Sequence, residues 1–306
     1  MKWRTYLALG RVSNLPTVWS NVLAGIVLSG AELASAPSLG APAATRAHYV
    51  IALTMLALSL FYVGGMFLND AFDRDIDARI HPERPIPSGR VSAGEVFAVG
   101  FGLMIAGVMA VGGSTVLSRR DPLPALAASM LLGGLIVVYD RWHKGNPLGP
   151  LLMGACRMLV YVSASLAVSG SMPSAVVSGS LCLLAYLIGL TYVAKQETLT
   201  EFRNFWPLLF LLAPFAYVPF AATAKGAAAI AASLLLLGFL GWVLSSVALL
   251  RKRAPGNIPR AVVRLIAGIS LLDTLFLASQ GHATEAVVGV GCFGATLLFQ
   301  RFVRGT

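Results

Sequence analysis

The chain has 306 residues, 57% of them hydrophobic and only 12% charged, with a mean hydropathy of +0.77. Soluble domains carry about a quarter charged residues, so lipid must be the solvent for most of this chain, and a soluble core is excluded. A net charge of +10 would suggest nucleic acid in a soluble protein, but here the basic residues sort by membrane side, and no nucleic-acid partner is expected.

Apolar runs long enough to cross a bilayer fall at 14–30, 48–68, 93–117, 122–139, 148–169, 174–194, 205–222, 227–250, 260–280 and 283–300. The predicted fold class is therefore all-α: a polytopic bundle of about nine to ten transmembrane helices forming one domain over 1–306. Between the first two runs, 31–47 is rich in Ala, Ser and Pro and reads as a loop. With the N-terminus cytoplasmic, 18 of the 23 basic residues fall in inside segments and four outside, and Arg157 lies within a span. Both termini are expected to be cytoplasmic, in what reads as a bacterial plasma membrane. The three cysteines lie singly in apolar runs and read as small hydrophobes. Trp3, Trp19, Trp142 and Trp206 lie near span ends and read as interfacial anchors.

The second span ends in the string Asn69-Asp70-Ala71-Phe72-Asp73-Arg74-Asp75-Ile76-Asp77. On a helix, Asn69, Asp73 and Asp77 recur every four residues, with Asp70 beside them, while Asp75 points elsewhere. Carboxylates sharing a face repel unless a cation neutralises them, and oxygen donors at this density suit Mg²⁺. The plainer alternative is a solvated helix end paired with Arg74, Arg79 and Arg84. After the sixth span, Glu197 and Glu201 are also four apart. Both groups fall at the same membrane edge, where they could hold two Mg²⁺ ions against one diphosphate. Such a site stabilises negative charge as a diphosphate leaves an allylic carbon, provided that water is kept out. Arg79, Arg84, Lys144 and Lys195 are candidate cations for the phosphates.

The run from Asn69 to Asp77, followed by Arg84-Pro85-Ile86-Pro87-Ser88-Gly89-Arg90, resembles the first signature of the UbiA superfamily of intramembrane prenyltransferases. The resemblance extends to Arg11 and Asn14, to Tyr139 and Lys144, and to Arg157 in the stretch Gly154-Ala155-Cys156-Arg157. It implies two related helical halves around a central cavity with a cytoplasmic cap. It also implies a Mg²⁺-dependent transfer of a prenyl group from a polyprenyl diphosphate to an aromatic or other lipophilic acceptor, within membrane lipids. On that resemblance Asn69, Asp70, Asp73 and Asp77 bind metal and diphosphate, with Asp70, Asp73, Asp77, Lys195 and Tyr139 at the reacting end. Asn14, Arg79, Arg84, Lys144 and Arg157 contact substrate. Glu197 and Glu201 stand where the family usually carries two aspartates, and the run 283–300 is an addition to the usual nine spans.

Two further residues are notable. Arg157 is too far inside its span to reach the membrane edge easily and is expected to bind an anionic group within the bundle. Asp273, in the ninth span, is expected to pair with Arg264 or Arg157. The four histidines form no metal motif and receive no role. A non-catalytic prenyl-lipid binder and a lipid or small-molecule transporter are the competing readings. The position of the acids at one edge, not at the midplane, favours the enzyme over the transporter.

Overall fold

The computed structural model describes residues 2–31, 42–195, 206–251 and 256–303. All regular structure among them is helical: α1 (Lys2–Leu9), α2 (Leu15–Leu28), α3 (Pro42–Phe72), α4 (Arg74–Ile80), α5 (Ala93–Ser118), α6 (Pro122–Trp142), α7 (Gly149–Ser169), α8 (Ser174–Lys195), α9 (Ala213–Ala221), α10 (Ala227–Arg251), α11 (Asn257–Ser279) and α12 (Ala283–Phe299). Seven helices are long and apolar enough to cross a membrane, and three shorter apolar segments lie at Val12–Leu28, Trp206–Pro219 and Ala283–Phe299. These ten fall where the sequence predicts apolar runs. The chain is an integral membrane protein of the expected all-helical class.

Local sequence explains most helix ends. Ser92 caps α5 by accepting a hydrogen bond from the Glu95 amide at 3.1 Å, the first half of an S-x-x-E capping box. Asp121 caps α6 through the Leu123 amide at 3.0 Å, with Pro122 in the first turn where no amide donor is needed. The seventh apolar segment departs from the expected single helix. Trp206–Leu212 is 3₁₀, and α9 holds Pro214 near its start and Pro219 inside. Each proline removes an amide donor, so a continuous α-helical ladder cannot form. The predicted loop 31–47 is also shorter than expected, because α3 begins at Pro42.

Two hydrophobic cores meet along the middle of the bundle. One gathers Val22, Phe61, Leu68, Leu132 and Ala164 from α2, α3, α6 and α7. The other gathers Tyr186, Leu183, Phe239, Leu272 and Phe276 from α8, α10 and α11. Without a hydrophobic force between helices in lipid, close packing needs small residues. A Cβ on Gly64 of α3 would fall 2.7 Å from the Gly100 carbonyl of α5, so glycine is required at that crossing. The outer faces of α5, α6 and α10 expose Ile105, Met109, Met130, Leu131 and Leu234, as helices facing lipid do. Trp3, Trp142 and Trp206 are exposed near helix ends as expected. Trp19 is not an anchor of that kind: its indole N–H donates to Ser59 Oγ at 3.1 Å inside the bundle.

Cross-links between loops define two ends. At one, Gln300 Nε2 donates to Asn14 Oδ1 (3.0 Å), and Asn257 Nδ2 donates to the Leu249 carbonyl (3.0 Å). At the other, the Thr223 and Ala224 amides donate to the Ser279 carbonyl, and Ser118 Oγ donates to the Ala167 carbonyl. The first end carries the aspartate string and is called the acid end below.

Candidate functional site

The chain bends at Asp73, between α3 and α4, without losing helical hydrogen bonding. The Asp73 amide donates to the Asn69 carbonyl (3.0 Å), and the Asp77 amide donates to the Asp73 carbonyl (2.8 Å). The four-residue register therefore persists across the bend. Asn69, Asp70, Asp73 and Asp77 are all less than 9% exposed, whereas the Asp75 side chain is 78% exposed and meets only Arg74, at 3.7 Å. Burial of three carboxylates so close together requires positive charge nearby.

Cations reach the acids from three directions. Arg11 Nη2 lies 3.1 Å from Asp70 Oδ1 and also donates to Asn69 Oδ1 at 3.3 Å. Arg11 has a left-handed backbone (φ 42°), which is unusual for a side-chain-bearing residue and marks the break between α1 and the 3₁₀ turn ahead of α2. Arg84 Nη1 donates to Asp77 Oδ2 at 2.7 Å. The turns after it fold back through the Ser88 amide on the Arg84 carbonyl and the Arg90 amide on the Pro85 carbonyl. Lys144, from the loop between α6 and α7, sits 2.9 Å from Asp73 Oδ2 and 3.9 Å from Asp77 Oδ1. His143, given no role by sequence, stands 3.8 Å from Asp73 and stacks on Tyr139 at 4.7 Å. Burial lowers the His143 pKa, and the Asp73 carboxylate opposes that shift.

The donor set on α3 and α4 is all oxygen, which suits a hard divalent cation. The Lys144 ammonium between Asp73 and Asp77 shows that positive charge is favoured at that point. Among the described residues, no three His, Cys, Asp or Glu side chains group around one metal position. Asp70 turns to Arg11, while Asp73 and Asp77 turn to Lys144 and Arg84. Asn69, Asp73 and Asp77 fit the metal chemistry as a set of oxygen donors. Glu197 and Glu201, expected to complete it, lie outside the described residues.

A cavity of about 330 Å³ opens from this end into the bundle. Arg11, Asn14, Arg84 and Tyr139 line its polar mouth, and Leu58, Phe61, Leu132, Leu187 and Ile269 line its interior. Arg157 also lines it. Its guanidinium lies over the Tyr62 ring (5.3 Å) and donates to Asn21 Oδ1 (2.7 Å) and Thr17 Oγ1 (3.1 Å). Tyr62 precedes Asp70 by eight residues on α3, so Arg157 lies about 12 Å deeper than the acids. Below it, Asp273 accepts from Ser20 Oγ (2.5 Å), Asn21 Nδ2 (2.8 Å) and the Tyr161 hydroxyl. Asn21 thus relays the Arg157 charge to Asp273 through neutral groups. The expected pairing of Asp273 with Arg264 does not form, because Arg264 donates to Ser245 and Ser246 and covers the Trp242 ring at 4.1 Å.

The predicted site residues divide clearly. Asn14, Asn69, Asp70, Asp73, Asp77, Arg84, Tyr139 and Lys144 gather at the acid end, and Arg157 lines the cavity below. Arg79 is exposed on the outer face of α4, apart from the acids. Lys195 is not brought to them either: its ammonium donates to the Asn146 carbonyl and packs beside Gly149, tying α8 to the α6–α7 loop. Sequence reasoning missed Asp140, which is 3% exposed, lines the cavity and accepts from Asn69 Nδ2 at 3.2 Å. A predicted span ending at 139 left it in the loop, but α6 runs on to Trp142 and carries it inward.

A sequence model described as the UbiA prenyltransferase family matches residues 18–266. A digeranylgeranylglyceryl phosphate synthase of Methanopyrus kandleri is 35% identical over 145 residues, covering 47% of this chain and 46% of that one. A protoheme IX farnesyltransferase of Alkalihalophilus pseudofirmus is 26% identical over 196 residues, covering 61% and 54%. The chain spans about half the length of the curated relatives it matches. A solved structure of a digeranylgeranylglyceryl phosphate synthase shares the fold, with a TM-score of 0.50 and 22% identity over 97% of this chain and 96% of that chain.

Proposed function

The chain belongs to the UbiA prenyltransferase family, and from that premise we propose that it transfers a prenyl group from a polyprenyl diphosphate to a lipophilic acceptor, in a Mg²⁺-dependent reaction at the acid end. The observation that carries this reading is the burial of Asp73 and Asp77 around the Lys144 ammonium and the Arg84 guanidinium, at the mouth of an apolar cavity. Carboxylates and cations alternate there, as recognition of a metal-bound diphosphate requires.

Asn69, Asp70, Asp73 and Asp77 would hold Mg²⁺, with Glu197 and Glu201 proposed as a second set of donors. The metal would supply positive charge to the departing diphosphate. The chain's own residues carry the rest. Arg11, Arg84 and Lys144 are the cations available to phosphate oxygens, and each is already held beside a carboxylate. Tyr139, stacked on His143, forms the wall where the allylic carbon would sit. The apolar interior would hold the prenyl tail and exclude water from an allylic cation. Arg157 is proposed to face an anionic group of the second substrate, and the two relatives named above motivate a polar lipid or a porphyrin-like acceptor. The whole of 1–306 is proposed as one unit, with α12 added to the family core. The acid end is proposed to be cytoplasmic because basic residues concentrate there.

Incubation of the purified protein with Mg²⁺ and labelled geranylgeranyl diphosphate, with native lipid extract as acceptor, tests the reading. Labelled lipid should form with Mg²⁺ and not with EDTA. Tight prenyl diphosphate binding without any product would instead make the protein a non-catalytic prenyl-lipid binder.

A further inference from the structure

Buried oxygens in a folded chain nearly always find partners, so those without one call for an explanation. Five such side-chain atoms occur among the described residues: Ser13 Oγ, Asp140 Oδ2, Ser163 Oγ, Thr191 Oγ1 and Gln300 Oε1. Only Asp140 and Thr191 belong to residues that line the cavity. Asp140 comes from α6 and Thr191 from α8, helices that both pack on α7. The two residues are 3% and 6% exposed. Otherwise the interior is apolar apart from Arg157 and Tyr62, whose polar groups are engaged.

The two oxygens are chemically complementary to a single kind of group. A carboxylate oxygen only accepts hydrogen bonds, whereas a threonine hydroxyl both donates and accepts. A ligand hydroxyl can donate to the first and accept from the second. An ether or a hydrocarbon cannot donate, and would leave the Asp140 oxygen unpaired in a low-dielectric wall. Asp140 is fixed on its other side, because Asn69 Nδ2 holds Oδ1 at 3.2 Å. Asn69 is in turn held by Arg11. The free oxygen is therefore tied to the frame that orients the acid end, next to where a prenyl diphosphate is proposed to lie. Both atoms are shielded from water-sized contact, and a small rotation of a side-chain torsion brings either into the cavity; the broad two-fold torsion of an aspartate makes that motion easy.

We infer that Asp140 and Thr191 form a hydroxyl-binding subsite in the cavity wall, where the second substrate, a lipid alcohol, presents its O–H group. This rests on the proposed transfer reaction for its biological meaning, but the binding chemistry stands apart from turnover and is tested apart from it.

The probes are geranylgeraniol and geranylgeranyl methyl ether, which share one tail and differ only in the ability to donate a hydrogen bond. Their affinities are measured by displacement of a fluorescent prenyl ligand from the full chain in lipid nanodiscs, without Mg²⁺. The wild-type protein should bind the alcohol about tenfold more tightly than the ether, the worth of one or two good hydrogen bonds. Asp140→Asn and Thr191→Val keep side-chain shape, and each should reduce that preference to about threefold or less. Affinity for the ether should stay unchanged in both, which also shows that the variants are folded. Equal binding of alcohol and ether by the wild type would overturn the inference, as would a preference that survives both substitutions. Failure of Mg²⁺-dependent turnover in the wild type would sink the proposed function and leave this measurement decisive for the subsite.

Discussion

Two regions of the bundle hold charge out of water, and they do it in opposite ways. At the acid end, each buried carboxylate meets a cation directly: Asp70 meets Arg11, Asp77 meets Arg84, and Asp73 meets Lys144, all within 3.1 Å. About 12 Å deeper, Arg157 and Asp273 never touch, and Asn21 carries the interaction between them. Direct pairs between mobile loops and a helix end can open when a ligand competes for either partner. The deeper network joins α2, α7 and α11 through five side chains whose polar groups are already satisfied, so it serves as a brace. Charge alone does not separate a reactive site from a structural one. The separation lies in whether partners come from a movable loop or from packed helices.

The comparison breaks first at Asp73. Asp73→Ala should lower Mg²⁺-dependent diphosphate release by about a thousandfold, in line with loss of a charge-stabilising group, while the thermal midpoint in detergent changes by no more than a few degrees. A comparable loss of stability would put Asp73 with the brace instead.

Asp273→Leu should act the other way. Ser20, Asn21 and Tyr161 would lose their shared acceptor, and Arg157 its relayed counter-charge. The loss of stability should be about 3 kcal/mol, measured by thermal unfolding, while turnover per folded molecule stays within about threefold. Selective loss of activity with unchanged stability would move the brace into the site.

Gln300→Ala sharpens the contrast at the site's edge. Gln300 reaches from the end of α12 to Asn14, which lines the cavity mouth. Removing one neutral hydrogen bond should cost about 1 kcal/mol and appear as a severalfold rise in the KM for prenyl diphosphate. No change in that KM would confine α12 to a packing role.

Asp75→Ala is the smallest expected effect. Its side chain faces solvent, so turnover and stability should both stay within about twofold of wild type, as for most surface changes. A large loss would contradict the division of the aspartate string into two faces.

That division was legible in the sequence, because helical spacing alone separates Asp75 from Asp73 and Asp77 and the bend at Asp73 preserves the register. The ten apolar segments were legible too, since lipid leaves few alternatives to a helix for such runs. What was not legible depends on packing between distant helices. Nothing in the local string around Lys195 reveals that its ammonium is taken by the Asn146 carbonyl. Trp19 looks interfacial until Ser59 is found opposite it. Asp140 was hidden by three residues of uncertainty at the end of α6, enough to place a buried carboxylate in a loop. Asp273 could be recognised as buried, but its choice of Ser20, Asn21 and Tyr161 over Arg264 depends on contacts more than 100 residues apart.

The central claim is that the acid end, and not the deeper charge network, is where a divalent ion and a diphosphate meet. Mn²⁺ titration followed by electron paramagnetic resonance tests it directly, on the purified chain with an unreactive geranylgeranyl thiodiphosphate. Bound Mn²⁺ should form with the wild type and with Asp273→Asn, and should be lost with Asp73→Asn and Asp77→Asn. Undiminished Mn²⁺ binding in the Asp73 and Asp77 variants, or its loss only in the Asp273 variant, would contradict the account.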